Sequence, residues 1–222
     1  MKHFNIRSYC QRLPSINAHI SSQPIIEILK NVHPEVLAAA TMAVPSIVSL
    51  FFVFNVFSIN IIRRNNTFLA GIGCVLHFPW SAILHLYRAY GTCPERRTLL
   101  YKFDVSFIHV HCMCQNYAWD MCPRFLNVIY HVLSICHTWY VNPLTDPPCK
   151  RHMDILAAFG IVCASFPMLN RSLHLYISAI ALWGLAFFIY AKKTIGDYSP
   201  ALFHLLLAGP QFIMMYALNL SQ

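Results

Sequence analysis

Ser81 and His85 stand four residues apart, Asp104 follows beyond a short basic connection, and His204 comes near the far end of the chain. Together these residue types suit metal binding. Neutral imidazoles ligate Zn²⁺, and a carboxylate or hydroxyl can orient a bound water or a ligand. Three protein ligands with water in the fourth place lower that water's pKa to about 7 and yield a hydroxide nucleophile. The plainer use of the same residues is a hydrogen-bond network between helices, or an interfacial Asp or His paired with a neighbour such as Lys102.

Which use applies depends on the solvent around them. The 222 residues are 57% hydrophobic and 11% charged, with mean hydropathy +0.51. A soluble domain carries about 25% charged residues, so much of this chain is expected to face lipid. The net charge of +8 comes from short basic clusters between apolar runs. That placement fits juxtamembrane loops better than a nucleic-acid stripe, so no nucleic-acid partner is expected. Nine cysteines contain no C-x-x-C pair and read as small apolar residues within helices. The first 30 residues hold no continuous apolar run, so no cleavable signal peptide is expected.

Seven apolar stretches approach the roughly 20 residues that cross a bilayer. They cover 36–62, 67–87, 100–119, 125–143, 153–169, 173–191 and 200–218. Pro45, Pro79, Pro167 and Pro210 fall within or near the ends of these runs, where neighbouring helices can satisfy the freed backbone groups. The chain therefore reads as an all-α, multi-pass integral membrane protein. A seven-transmembrane helix bundle over 35–222 follows an N-terminal segment over 1–34.

The basic residues assign a direction. Twelve of the 16 Lys and Arg fall on the side that holds the N-terminus; Arg63, Arg64, Arg124 and Arg171 fall on the other. The positive-inside rule puts the N-terminus, and so the segment 1–34, in the cytosol and the C-terminus outside. Three N-x-S/T sequons, at Asn65, Asn170 and Asn219, all lie on the expected outside.

This threading brings the chemistry to one depth. Ser81 and His85 share a face at the cytosolic end of the second span, with His77 one turn deeper. Asp104 is expected in the first turn of the third span, on the same face as His111. His204 is expected about one turn into the seventh span. An Asp at bilayer depth costs about 2.5–3.5 kcal/mol on insertion scales, so such groups turn inward and find partners.

Ser81-Ala-Ile-Leu-His85 near the end of one span, followed by Lys102-Phe103-Asp104-Val105-Ser106 at the start of the next, resembles the progestin and adipoQ receptor family. Val44–Val48 in the first span, preceded by Glu35, is similar to the opening of that family's monocyte-to-macrophage-differentiation branch. With hemolysin-III-like proteins and alkaline ceramidases, the family forms the CREST superfamily of seven-span proteins. The resemblance implies zinc held by three histidines, one in the second span and an H-x-x-x-H pair in the last. His85 and His204 match two of them. The third position is Pro200, which has no side-chain donor. Ser81 and Asp104 would position the metal-bound water. His152, His77 and His111 are the alternatives for a third ligand.

Two functions follow. One is a zinc-dependent hydrolase of a lipid amide or ester, with ceramide-type substrates the ones the resemblance implies. The other is a non-catalytic, receptor-like or structural protein that binds a lipid or a protein partner. Membrane lipids are partners in both. A receptor of the G-protein-coupled type is disfavoured, because the chain has neither a D/E-R-Y-like motif nor N-P-x-x-Y, and its termini are inverted for that class.

Overall fold

The computed structural model describes residues 32–54, 61–119, 124–141, 147–169 and 172–220. The expected N-terminal segment 1–34 lies outside the described residues except for 32–34, as do Asn170, Arg171 and Ser221 of the sequons. The described residues form α-helices and short 3₁₀ turns, with no strand among them. In chain order the helices are α1 (Pro34–Thr41), α2 (Ala43–Val53), α3 (Ile61–Tyr90), α4 (Pro94–Ala118), α5 (Arg124–Tyr140), α6 (Pro147–Ser165), α7 (Leu173–Lys192) and α8 (Ser199–Leu220).

Local signals account for the helix ends. His33 Nδ1 accepts from the Glu35 amide (3.2 Å), and Pro34 opens α1, where a missing N–H costs nothing. Pro94 does the same for α4, with Glu95 in its first turn against the positive helix end. The α1 and α2 helices are halves of one rod broken only at Met42, with Pro45 in the first turn of α2. At the end of α7, Lys193 takes the left-handed conformation (φ 49°, ψ 45°) usually left to glycine.

Seven helical segments thus occupy the seven apolar runs, counting α1 and α2 as one. Among the described residues four segments are long and apolar enough to cross a membrane: Pro34–Val53, Asn65–Tyr90, Leu173–Lys192 and Gly196–Leu220. The intervening three depart for visible reasons. The α4 helix carries His109, His111, Gln115 and Asn116; α5 has only 17 residues; α6 carries Arg151 and Asp154.

The α3 helix is the hub, packing on α1, α2, α4 and α8. Small residues line the crossings: Ala70, Gly71 and Gly73 of α3 are buried, as are Ala38 of α1 and Ala179 and Ala186 of α7. In lipid, helices associate through close packing and interhelical hydrogen bonds, because acyl chains are as apolar as the side chains they replace. Such bonds are present. Gln211 donates to Ser49 Oγ (2.9 Å), Asn116 to Asn127 (2.8 Å) and the Trp139 indole to Ser106 Oγ (3.0 Å). One apolar cluster gathers Phe52, Trp119, Met168, Trp183 and Met215; another gathers Leu84, Tyr101, Val105 and Met153. Large apolar side chains also cover the outside, such as Ile47, Phe125, Leu133 and Phe188. Exposed apolar side chains in such number suit a surface that meets lipid or another protein.

Candidate functional site

Gly73, His77, Ser81 and His85 recur every four residues along α3 and share one face of it. Gly73 is the close-approach point: a Cβ there would meet Cys114 Cβ at 2.8 Å and His111 Cα at 3.0 Å. This draws α4 against α3 and sets Asp104 beside His77, whose Nε2 donates to the Asp104 carboxylate at 2.9 Å. Ser81 flanks the same carboxylate. Asp104 therefore pairs with a histidine on the neighbouring helix. Lys102, the other candidate, turns away to donate to the Trp139 carbonyl at 3.0 Å. Because α4 starts at Pro94, Asp104 lies about three turns into the helix and not in its first turn.

His85 and His204 meet across the gap between α3 and α8. Their ring centroids are 4.9 Å apart and nearly perpendicular. Each ties Nδ1 to an acceptor on α1: His85 to Glu35 Oε2 (2.5 Å), His204 to the Ala38 carbonyl (3.0 Å). A carbonyl and a carboxylate only accept, so Nδ1 carries the hydrogen and a neutral ring keeps its Nε2 lone pair. Neither Nε2 has a protein partner among the described residues. Glu35 came out of the sequence only as part of a resemblance; its position beside His85 depends on how α1 is rotated against α3.

These residues line a cavity of about 420 Å³ between the helices. His77, Ser81, His85, Asp104, His111 and His204 belong to its polar lining; Ile108, Ile161, Trp183, Phe187, Leu207 and Met214 represent its apolar walls. Arg151 and Asp154 of α6 also face it, and the Tyr101 hydroxyl donates to Asp154. All four sequence-derived site residues, Ser81, His85, Asp104 and His204, thus border one space. Pro200 is elsewhere: it lines an adjoining vestibule of about 840 Å³.

The donor set can be weighed against the zinc that the resemblance implies. His85 and His204 are oriented as metal-bound histidines commonly are, the second ring nitrogen tied to a carboxylate or a carbonyl. A third donor is lacking. Position 200 is proline, His77 is engaged with Asp104, His111 with Gln115 (3.2 Å), and His152 is exposed. Among the described residues no three His, Cys, Asp or Glu side chains gather closely enough to hold a metal ion. Two imidazoles fall short of the three protein ligands of a catalytic zinc centre.

A second histidine pair lies apart from the cavity. His109 of α4 and His131 of α5 are fully buried, with their Nδ1 atoms 3.0 Å apart, one donating to the other. A Cβ on Gly160 of α6 would stand 3.1 Å from His131 Cε1, so that glycine makes room for the rings. They are packed between helices, the ordinary fate of a histidine in such a bundle.

Comparison with known proteins finds no family model and no curated protein that matches the chain.

Proposed function

We propose that the chain is a seven-span membrane protein of the progestin and adipoQ receptor type, with a cytosolic N-terminus, and that it takes a lipid into the cavity between its helices. One observation carries this reading: an interhelical cavity with largely apolar walls holds one cluster of convergent polar groups, the arrangement of a small-ligand site. Apolar walls suit an acyl chain, and the Nε2 lone pairs of His85 and His204 suit a hydroxyl or amide donor. Seven helical segments on the seven apolar runs and the uneven spread of basic residues support the threading.

Leu207 lines the cavity, so Leu207→Trp fills it. The test is lipid carried through detergent purification, counted by mass spectrometry. Wild type should retain a lipid in near-stoichiometric amount and Leu207→Trp should lose it. Equal retention, or none in wild type, overturns the reading.

Zinc-dependent hydrolysis of a lipid amide or ester is the second reading; the orientation of His85 and His204 favours it, and the lack of a third ligand among the described residues stands against it. Asp104 and Ser81 would then hold the reacting group in place. Elemental analysis of the purified chain, with His85→Ala and His204→Ala as controls, decides between binding and hydrolysis. Stoichiometric zinc lost in both variants supports hydrolysis; metal-free protein that still retains lipid leaves binding alone.

A further inference from the structure

The vestibule beside the cavity has a chemistry of its own. It is lined by Arg88 from the last turn of α3, Arg97 from the first turn of α4 and Lys193 from the end of α7. Three cations from three helix ends thus face one space. None has a carboxylate within ion-pair distance among the described residues. The carboxylates on the same wall are Glu35, bonded to His85, and Asp197. Positive charge is therefore in excess, and it is not neutralised by direct pairing.

Helix ends of both polarities border the same space, the C-terminal ends of α3 and α7 through Arg88 and Lys193. The first residues of α1, α4 and α8 border the vestibule through Pro34, Arg97 and Pro200. Helix N-termini carry partial positive charge and C-termini partial negative charge, so the side-chain cations set the sign of this space. Lys193 holds a left-handed conformation that costs a non-glycine residue. The chain keeps a lysine there all the same.

The vestibule and the inner cavity share Arg88, Tyr101, Tyr190 and Ala191 as lining. A polar, basic space thus adjoins an apolar one, with His85 and Glu35 at their boundary. We infer that the ligand is a phosphate-bearing lipid, its phosphate among Arg88, Arg97 and Lys193 and its chain in the inner cavity. This rests on the lipid-binding reading above and adds the headgroup. Guanidinium groups recognise phosphate oxygens through paired N–H donors, which is the use two arginines at one mouth are suited to.

The experiment uses the full chain in a neutral maltoside detergent. It is titrated with lysophosphatidate, with the uncharged monoacylglycerol of the same chain, and with inorganic phosphate, and binding is read from thermal stabilisation. Lysophosphatidate should bind about tenfold more tightly than monoacylglycerol, with the difference shrinking as salt is added. Arg97→Gln and Lys193→Gly should each weaken lysophosphatidate about three- to tenfold and leave monoacylglycerol unchanged. Glycine at 193 relieves the strained backbone, so a fold defect does not explain its loss of affinity. Equal binding of the two lipids, insensitive to both variants, overturns the headgroup assignment and leaves lipid binding standing. No binding of either lipid overturns both. Protection by inorganic phosphate equal to that by lysophosphatidate overturns the lipid as the phosphate's source.

Discussion

Gly73 sits one turn before His77 on the α3 face that meets α4, so it sets how closely the two helices approach. The Cβ of Gly73→Ala would stand 2.8 Å from Cys114 Cβ and 3.0 Å from His111 Cα. Neither obstacle is the swinging tip of a side chain, so the helices must part. Overpacking costs about 1–3 kcal/mol, and obstacles this rigid put the substitution in the upper half of that range. Alanine is the better helix former by about 0.8–1.0 kcal/mol, which offsets part of the loss. The net expectation is destabilisation by about 1–2 kcal/mol. Gly184 in α7 should show the opposite sign. Its Cβ would meet nothing within 4 Å, so Gly184→Ala should stabilise by about 0.5–1 kcal/mol. At about 2–4 °C per kcal/mol for a chain of this size, the two variants separate by about 3–12 °C in Tm. Tryptophan fluorescence on heating, in one detergent for all three proteins, measures it. If Gly73→Ala melts with wild type, or the two variants melt together, α3 and α4 do not approach as described. The His77–Asp104 contact one turn further on then loses its support.

Asp104→Ala leaves His77 without its acceptor and should cost about 2–3 kcal/mol, below the value for a sealed pair because the carboxylate borders a cavity. In a cycle with His77→Ala the double variant should cost clearly less than the sum, and strict additivity would show that the two do not interact. Pro200→His places an imidazole one turn before His204 and restores the H-x-x-x-H spacing. Elemental analysis should then find about one zinc per chain and less in wild type, and no gain would remove Pro200 from the third-ligand position. Gln211→Leu removes the bond to Ser49 and the weaker one from Gln115 (3.4 Å), for about 0.6–1.7 kcal/mol. An unchanged Tm would mean that these bonds do not hold α8 to α2 and α4.

The helical segments were legible because each is written as a run of apolar residues, and a run needs no knowledge of its neighbours. Their ends were less so. Apolarity in the third segment begins at Leu100, whereas α4 starts at Pro94, where a proline and an acidic first turn suit a helix start. Spacing by four also shows which α3 residues share a face, and the expected threading sets Asp104 and His204 at a similar depth. What neither carries is azimuth. Whether Asp104 turns to Lys102 or to His77 depends on rotation of α4 about its axis, and one residue step turns a helix by about 100°. Gly73 fixes that rotation, yet an isolated glycine in a helical run reads only as tolerated. Glu35 is the same case at the other wall. It stands 50 positions before His85 and meets it only because α1 packs on α3. Pairing in this bundle is thus decided by where small residues let helices touch, and a search for partners begins at Gly73 and Ala38 before it turns to the histidines.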